Sequence, residues 1–354
     1  MTNNLFSYAT SELSQDAFLC WLLSWAGKNS EKDEGLRACA VNLIKEIIPE
    51  LTCPDEEIVV TEIRQQYEKV DVLFIVNDKY VVIVENKTHS GEHSNQLERY
   101  KKAIEKKYGN LEQRRLFFKT GFQGNTTKIR EEGFEFIGLE RIIKLFLPYV
   151  TKTSNRIFHD YFEFWNDFNN VALAYKNEPT RSWEWRQVNG FYRDLNNSGI
   201  FRESGFSTDF GYVANPSGGF HAMWMSDWNP LQYDGRKYFP YLQFEWTKQK
   251  FQLCLKINLD EGKSGNTLER KSLRDFLTYY TDKNGKWVYA FEEYGFSRPD
   301  RFGNGNCMTL GYIDIVADSY DEVIKGCLST AINNFKEIKE SIEARKARAI
   351  EENS

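Results

Sequence analysis

A chain of 354 residues, 41% hydrophobic and 27% charged, holds enough apolar material for one large or two ordinary globular domains, which excludes a disordered tail or a fibrous repeat. No run of about 18 apolar residues exists to span a bilayer. The opening MTNNLFSYATSELSQDAF also lacks the basic-then-apolar order of a secretory signal, so a cytoplasmic protein without membrane partners is expected. The formal net charge of -5 excludes a surface coated in positive charge, though not a local basic groove.

Residues 14–26 read as a buried helix, with Ser14 as its N-cap and Phe18, Trp21, Leu22 and Trp25 at helical spacing. A second helix is expected over 35–48, before Pro49 and Pro54 break the pattern. Three short β-rich runs follow at 58–64, 70–76 and 80–87, and Asn77-Asp78 marks a tight turn between the last two, so the three read as an antiparallel meander. A helix over 93–107 and strands over 115–119 and 134–137 complete a mixed sheet flanked by helices. Residues 143–175 are helical in pattern with a break at Pro148, and Asn177-Glu178-Pro179 is the expected boundary between an N-terminal domain, 1–178, and a C-terminal one, 179–354.

The second half reads as α+β. Residues 241–246 and 251–259 form a hairpin pattern, and in its second arm Phe251, Leu253, Leu255, Ile257 and Leu259 alternate with Gln252, Cys254, Lys256 and Asn258, predicting one buried and one open face. Trp183, Trp185, Trp224, Trp228, Trp246 and Trp287 fall in this half; aromatics in strands are more often core than platforms for stacked bases. A long amphipathic helix over 321–348 carries the stripe Leu328, Ala331, Phe335, Ile338 and Ile342, which suits either docking on the domain or a seam between copies in a homo-oligomer. The six cysteines contain no C-x-x-C pair and read as reduced structural thiols.

The segment EKVDVLFIVNDKYVVIVENK, residues 68–87, places an acid on one strand and an acid and a lysine on the next. Side chains alternate along a strand, so Glu85 and Lys87 project to one face, and the turn at Asn77-Asp78 folds Asp71 back toward them. Two carboxylates and an ammonium suit phosphodiester hydrolysis, where a hard divalent ion sits beside the scissile phosphate and a water must be oriented or activated. The plain alternative is a ladder of surface ion pairs on a half-exposed sheet. Downstream, residues 99–130 carry ten basic residues, among them Arg99 and Lys101, against Glu105 and Glu112. Such a stripe can hold phosphates, and a solvated lysine-rich helix face looks the same in sequence.

The order Glu12, Asp71, Glu85-Asn86-Lys87 and Gln96 resembles the PD-(D/E)XK nuclease superfamily, and the opening SELSQDAFLCWLLSW resembles an uncharacterised bacterial branch of it. The resemblance covers roughly residues 5–149. It implies a restriction-endonuclease-like αβββαβ mixed-sheet core, followed here by the α+β C-terminal domain, and cleavage of nucleic acid, DNA before RNA. It also implies Mg2+ as cofactor, with Mn2+ able to substitute. Asp71 and Glu85 match the motif acids and Lys87 the motif lysine; Glu12 matches an extra acid that many members bring to the metal. Gln96 matches the first position of a Q-x-x-x-Y element, with Tyr100 one turn on, beside Arg99 and Lys101 as substrate contacts. Val70 stands in place of the name-giving proline, and the middle of the E-x-K is a polar Asn86. A degenerate member would instead be a non-catalytic module holding nucleic acid or protein.

Other candidates are weaker. His89 and His93 are four apart, but Gly91 lies between them and no third ligand is near. His159 and His221 are isolated, and Gly303-Asn304-Gly305 lacks the lysine and hydroxyl of a phosphate-cradling loop.

Overall fold

The computed structural model describes residues 3–28, 33–88, 96–216, 218–233, 236–259, 267–281, 284, 286–300 and 307–351. The chain divides into two compact units, Met1–Asn170 and Val171–Ser354. None of the helices among the described residues is long and apolar enough to cross a membrane.

The N-terminal unit begins with helices α1 (Glu12–Ser24) and α2 (Glu34–Ile47). The first helix starts earlier than its apolar periodicity suggests. Ser11 takes the N-cap position and Glu12 opens the first turn, where the helix dipole favours an acid, while Ser14 lies inside the helix with its hydroxyl 3.0 Å from that of Ser11. Strands β1 (Val60–Tyr67), β2 (Val70–Val76) and β3 (Tyr80–Lys87) then pair antiparallel. Both hairpin turns have two consecutive residues at positive φ, Glu68-Lys69 (53° and 71°) and Asn77-Asp78 (52° and 50°), which matches the strand twist.

Helix α3 (Gln96–Tyr108) crosses to β4 (Glu112–Lys119), which lies parallel to β3. The short helix α4 (Thr127–Glu131) leads to β5 (Glu135–Gly138), parallel to β4, giving a mixed sheet in the order β1-β2-β3-β4-β5. Strand β3 is central and wholly buried, which explains its unbroken apolar run YVVIV. On one face Leu73, Ile75, Val81, Ile83 and Phe117 pack with Leu97, Tyr100 and Ile104 of α3 and Ile129 of α4. The alternate set points to the side of α1, as a bond from Asn86 to Asp16 shows. Helices α5 (Leu139–Phe146) and α6 (Arg156–Leu173) flank the turn at Pro148, where the sequence pattern places a break.

In the C-terminal unit α7 (Trp185–Asn197) and α8 (Ile200–Glu203) precede strands β6 (Ser207–Val213), β7 (Phe220–Ser226), β8 (Leu231–Tyr233), β9 (Arg236–Trp246) and β10 (Phe251–Leu259). After α9 (Thr267–Thr278) and a small ribbon of β11 (Tyr279–Thr281) and β12 (Trp287–Tyr289), β13 (Cys307–Asp314) joins the sheet beside β10. The hairpin of β9 and β10 turns between Trp246 and Phe251. The expectation of an open face on β10 is corrected: Gln252, Cys254 and Lys256 are buried along with Phe251, Leu253, Leu255 and Ile257. Their polar atoms are satisfied across strands, Gln252 by Asp314 and Lys256 by Glu245, each within 2.7 Å, so the sheet pairing itself makes their burial tolerable.

The last helix is not continuous. A turn at α10 (Tyr320–Glu322) passes through a π-helical segment, Val323–Leu328, into α11 (Ser329–Glu351). The stripe Leu328, Ala331, Phe335, Ile338 and Ile342 is buried within this unit, with the Phe335 ring against Phe206 and Lys339 paired to Asp227. Of the tryptophans in this half, Trp183 and Trp246 are core, Trp228 and Trp287 exposed.

Candidate active site

Three elements meet at the C-terminal end of β3. Register Val72↔Val84 continues to Asp71 opposite Glu85, and alternation brings Lys87 to the same face. The first turn of α1 adds Glu12, whose Oε1 accepts a bond from the backbone N–H of Thr88 at 3.0 Å. The Lys87 ammonium lies at the centre of these acids, 2.5 Å from Glu85, 3.7 Å from Asp71 and 3.8 Å from Glu12. The four residues read from sequence are therefore one cluster, not a solvated ladder: Glu85 is 1% and Lys87 6% exposed.

Burial sets the charge states. Loss of water and the neighbouring Asp71 push the Glu85 carboxyl up, against the pull of Lys87. Burial also works to lower Lys87, but Glu85, Asp71 and Glu12 together outweigh it and hold the ammonium charged. Asp71 presents both oxygens to hydrogen-bond donors: Oδ2 accepts from the Asn86 backbone N–H at 2.9 Å and Oδ1 from Gln66 Nε2 at 3.2 Å.

The other predicted contacts fare differently. Gln96 begins α3, but its side chain lies outside the described residues, as do His89 and His93. Tyr100 belongs to the core cluster on the α3 face of the sheet. It is 6% exposed and packs in the core between α3 and the sheet, because α3 needs its apolar face for that packing. Arg99 is exposed, and Lys101 is half-buried 4.0 Å from Glu132. Part of the basic stripe is paired with acids, some near in sequence and some distant: Lys102 pairs with Glu98, Lys107 with Glu68, and Arg114 with Glu50 and Glu112. His159 bonds the Thr153 carbonyl and His221 the side chain of Asn189.

Sequence reading missed three participants. Lys119, counted only as part of the stripe, stands in register with Lys87 on the neighbouring strand and is 1% exposed, and burial pushes its ammonium down to about 8. Asp16 is 1% exposed, and burial raises its carboxyl to about 6. Its Oδ1 accepts from Asn86 Nδ2 and its Oδ2 from Gln66 Nε2, each at 2.9 Å. Asp16 had one available signal, its position four residues after Glu12 on the same helix face. Gln66 had none.

The hard oxygen donors of Asp71 and Glu85 suit a divalent ion such as Mg2+, which commonly takes one or two carboxylates and keeps much of its water. Among the described residues no cluster of three acidic, histidine or cysteine ligands is close enough to form a complete protein cage. No curated protein and no solved structure matches the chain. Residues 3–128, the stretch that holds every member of the cluster, match the family model described as PD-(D/E)XK nuclease superfamily.

Proposed function

We propose that the N-terminal unit is a metal-dependent nuclease with a restriction-endonuclease-like αβββαβ core that hydrolyses phosphodiester bonds of DNA. The observation that carries this reading is the convergence of Glu12, Asp71 and Glu85 on one buried ammonium at the end of β3. Asp71 and Glu85 would hold Mg2+ or Mn2+, with Glu12 adjoining; when bound, the ion supplies a Lewis acid beside the phosphate. Asp71 and Glu85 lie one residue beyond the last pair of the β2–β3 ladder, Val72 and Val84, and the Asn86 backbone N–H holds Asp71 there. Lys87, kept charged by three carboxylates, is a hydrogen-bond donor that orients the attacking water and offsets charge building on phosphorus. Hydrolysis adds one water: its oxygen bonds to phosphorus as the ester bond breaks, and a proton passes to the leaving oxygen.

A non-catalytic nucleic-acid module would lean on the basic stripe, and the ion pairs of Lys102, Lys107 and Arg114 leave that surface less able to bind phosphates. Incubation of plasmid DNA, linear duplex and RNA with Mg2+ or Mn2+ tests the reading. The native protein is expected to cut DNA, with Asp71→Asn and Lys87→Met slower by about 100-fold or more. Equal activity of all three proteins would discard the site.

A further inference from the structure

Asp71, Gln66, Asp16 and Asn86 close a ring of hydrogen bonds beside the motif acids. Gln66 Nε2 reaches Asp71 Oδ1 and Asp16 Oδ2; Asn86 Nδ2 reaches Asp16 Oδ1, and the Asn86 backbone N–H returns to Asp71 Oδ2. Both oxygens of the motif aspartate are thus held, and both residues that hold it, Gln66 and Asn86, are anchored on Asp16 by their side chains. Asn86 Nδ2 also lies 3.2 Å from the Glu12 carbonyl, so one amide ties the start of α1 to the motif strand.

Two features set this ring apart from ordinary packing between a helix and a sheet. Gln66 adopts a left-handed backbone, φ 52°, a conformation that residues with side chains rarely take and that accumulates where a site requires it. Asn86 is fully buried, yet its Oδ1 meets no hydrogen-bond partner among the described residues. An apolar residue would fill that position at lower cost, so the asparagine is there for what its N–H groups donate.

We propose that Asp16 is a positioning residue: through Gln66 and Asn86 it fixes the orientation of Asp71, and thereby how that carboxylate meets a divalent cation. This rests on the metal-dependent reading of the site. Groups behind a metal ligand typically change affinity about 10- to 100-fold when removed.

The test is calorimetric titration of the full-length protein with Mn2+ alone, alongside thermal unfolding, for the native chain, Asp16→Asn, Gln66→Ala and the double variant. Asp16→Asn swaps an acceptor for a donor facing Gln66 or Asn86 and is expected to weaken Mn2+ uptake about tenfold while the protein stays folded at the assay temperature. Gln66→Ala, an exposed position, is expected to weaken uptake severalfold with little change in unfolding temperature. The double variant should lose no more than Asp16→Asn, because both act on the same carboxylate. Native Mn2+ affinity in both single variants, or losses that add as from independent sites, would overturn the inference. If Asp16→Asn does not fold, Gln66→Ala decides alone. A native protein that takes up no Mn2+ would overturn the metal-dependent reading and this inference with it.

Discussion

At Lys87 one ammonium balances three carboxylates, and the least solvated of them, Glu85, depends on it most. Removing one partner of a buried pair leaves the other uncompensated, at a cost of about 3–5 kcal/mol. Glu85 has an escape, because its carboxyl is already raised by burial and by Asp71 and can take a proton. A carboxyl with a raised folded value stabilises the protein below its unfolded value, near 4.5, and that contribution disappears as pH rises through the folded value. Lys87→Met raises Glu85 further. Its stability deficit should therefore be about 3 kcal/mol or more near pH 8 and distinctly smaller near pH 5. Urea unfolding at the two pH values checks this; a deficit independent of pH would mean that Glu85 stays charged without its lysine.

Strand ends, rather than whole strands, build the site, and one glycine sets their spacing. Thr120 N–H bonds the Lys87 carbonyl at 3.1 Å, the Thr88 and Thr120 hydroxyls lie 3.0 Å apart, and a Cβ on Gly121 would fall 1.9 Å from the Thr88 carbonyl oxygen. Backbone cannot yield as a side chain can, so Gly121→Ala must push β4 away from β3 just beyond Lys87 and Lys119. The expected cost is about 1–3 kcal/mol of stability by overpacking, together with a loss of the proposed nuclease activity, measured by urea midpoint and plasmid cutting. At this scale the chain was partly readable. Strands β2 and β3 stand where apolar runs and the Asn77-Asp78 signal put them, and alternation over two residues was enough to join Asp71, Glu85 and Lys87. The polar end of β1 was not readable, because Glu68-Lys69 turns left-handed without the glycine or asparagine that announces such a turn. For the same reason Gln66 was invisible: its reach to Asp16 and Asp71 depends on a backbone conformation with no local signature.

Across the whole molecule the amphipathic stripe at the C-terminus left two readings open in the sequence, and burial separates them. Leu328, Ala331, Phe335, Ile338 and Ile342 are each at most 4% exposed within one chain, so this stripe is covered by the chain's own residues rather than open to a second copy. Phe335 packs edge-on to Phe206, and Lys339, one turn further, is clamped between both oxygens of Asp227 at 2.9–3.0 Å. Truncating a buried aromatic ring costs about 3–5 kcal/mol, so Phe335→Ala should weaken the C-terminal unit by that amount. Hydrogen exchange on the full chain should place the lost protection in α11 and in the segments around Phe206 and Asp227 that it covers. The sedimentation coefficient should not change, because the substitution removes an intramolecular contact. A drop in oligomer size on Phe335→Ala, with stability unaltered, would show instead that the stripe joins copies and that its burial against its own sheet is not what holds the helix in place.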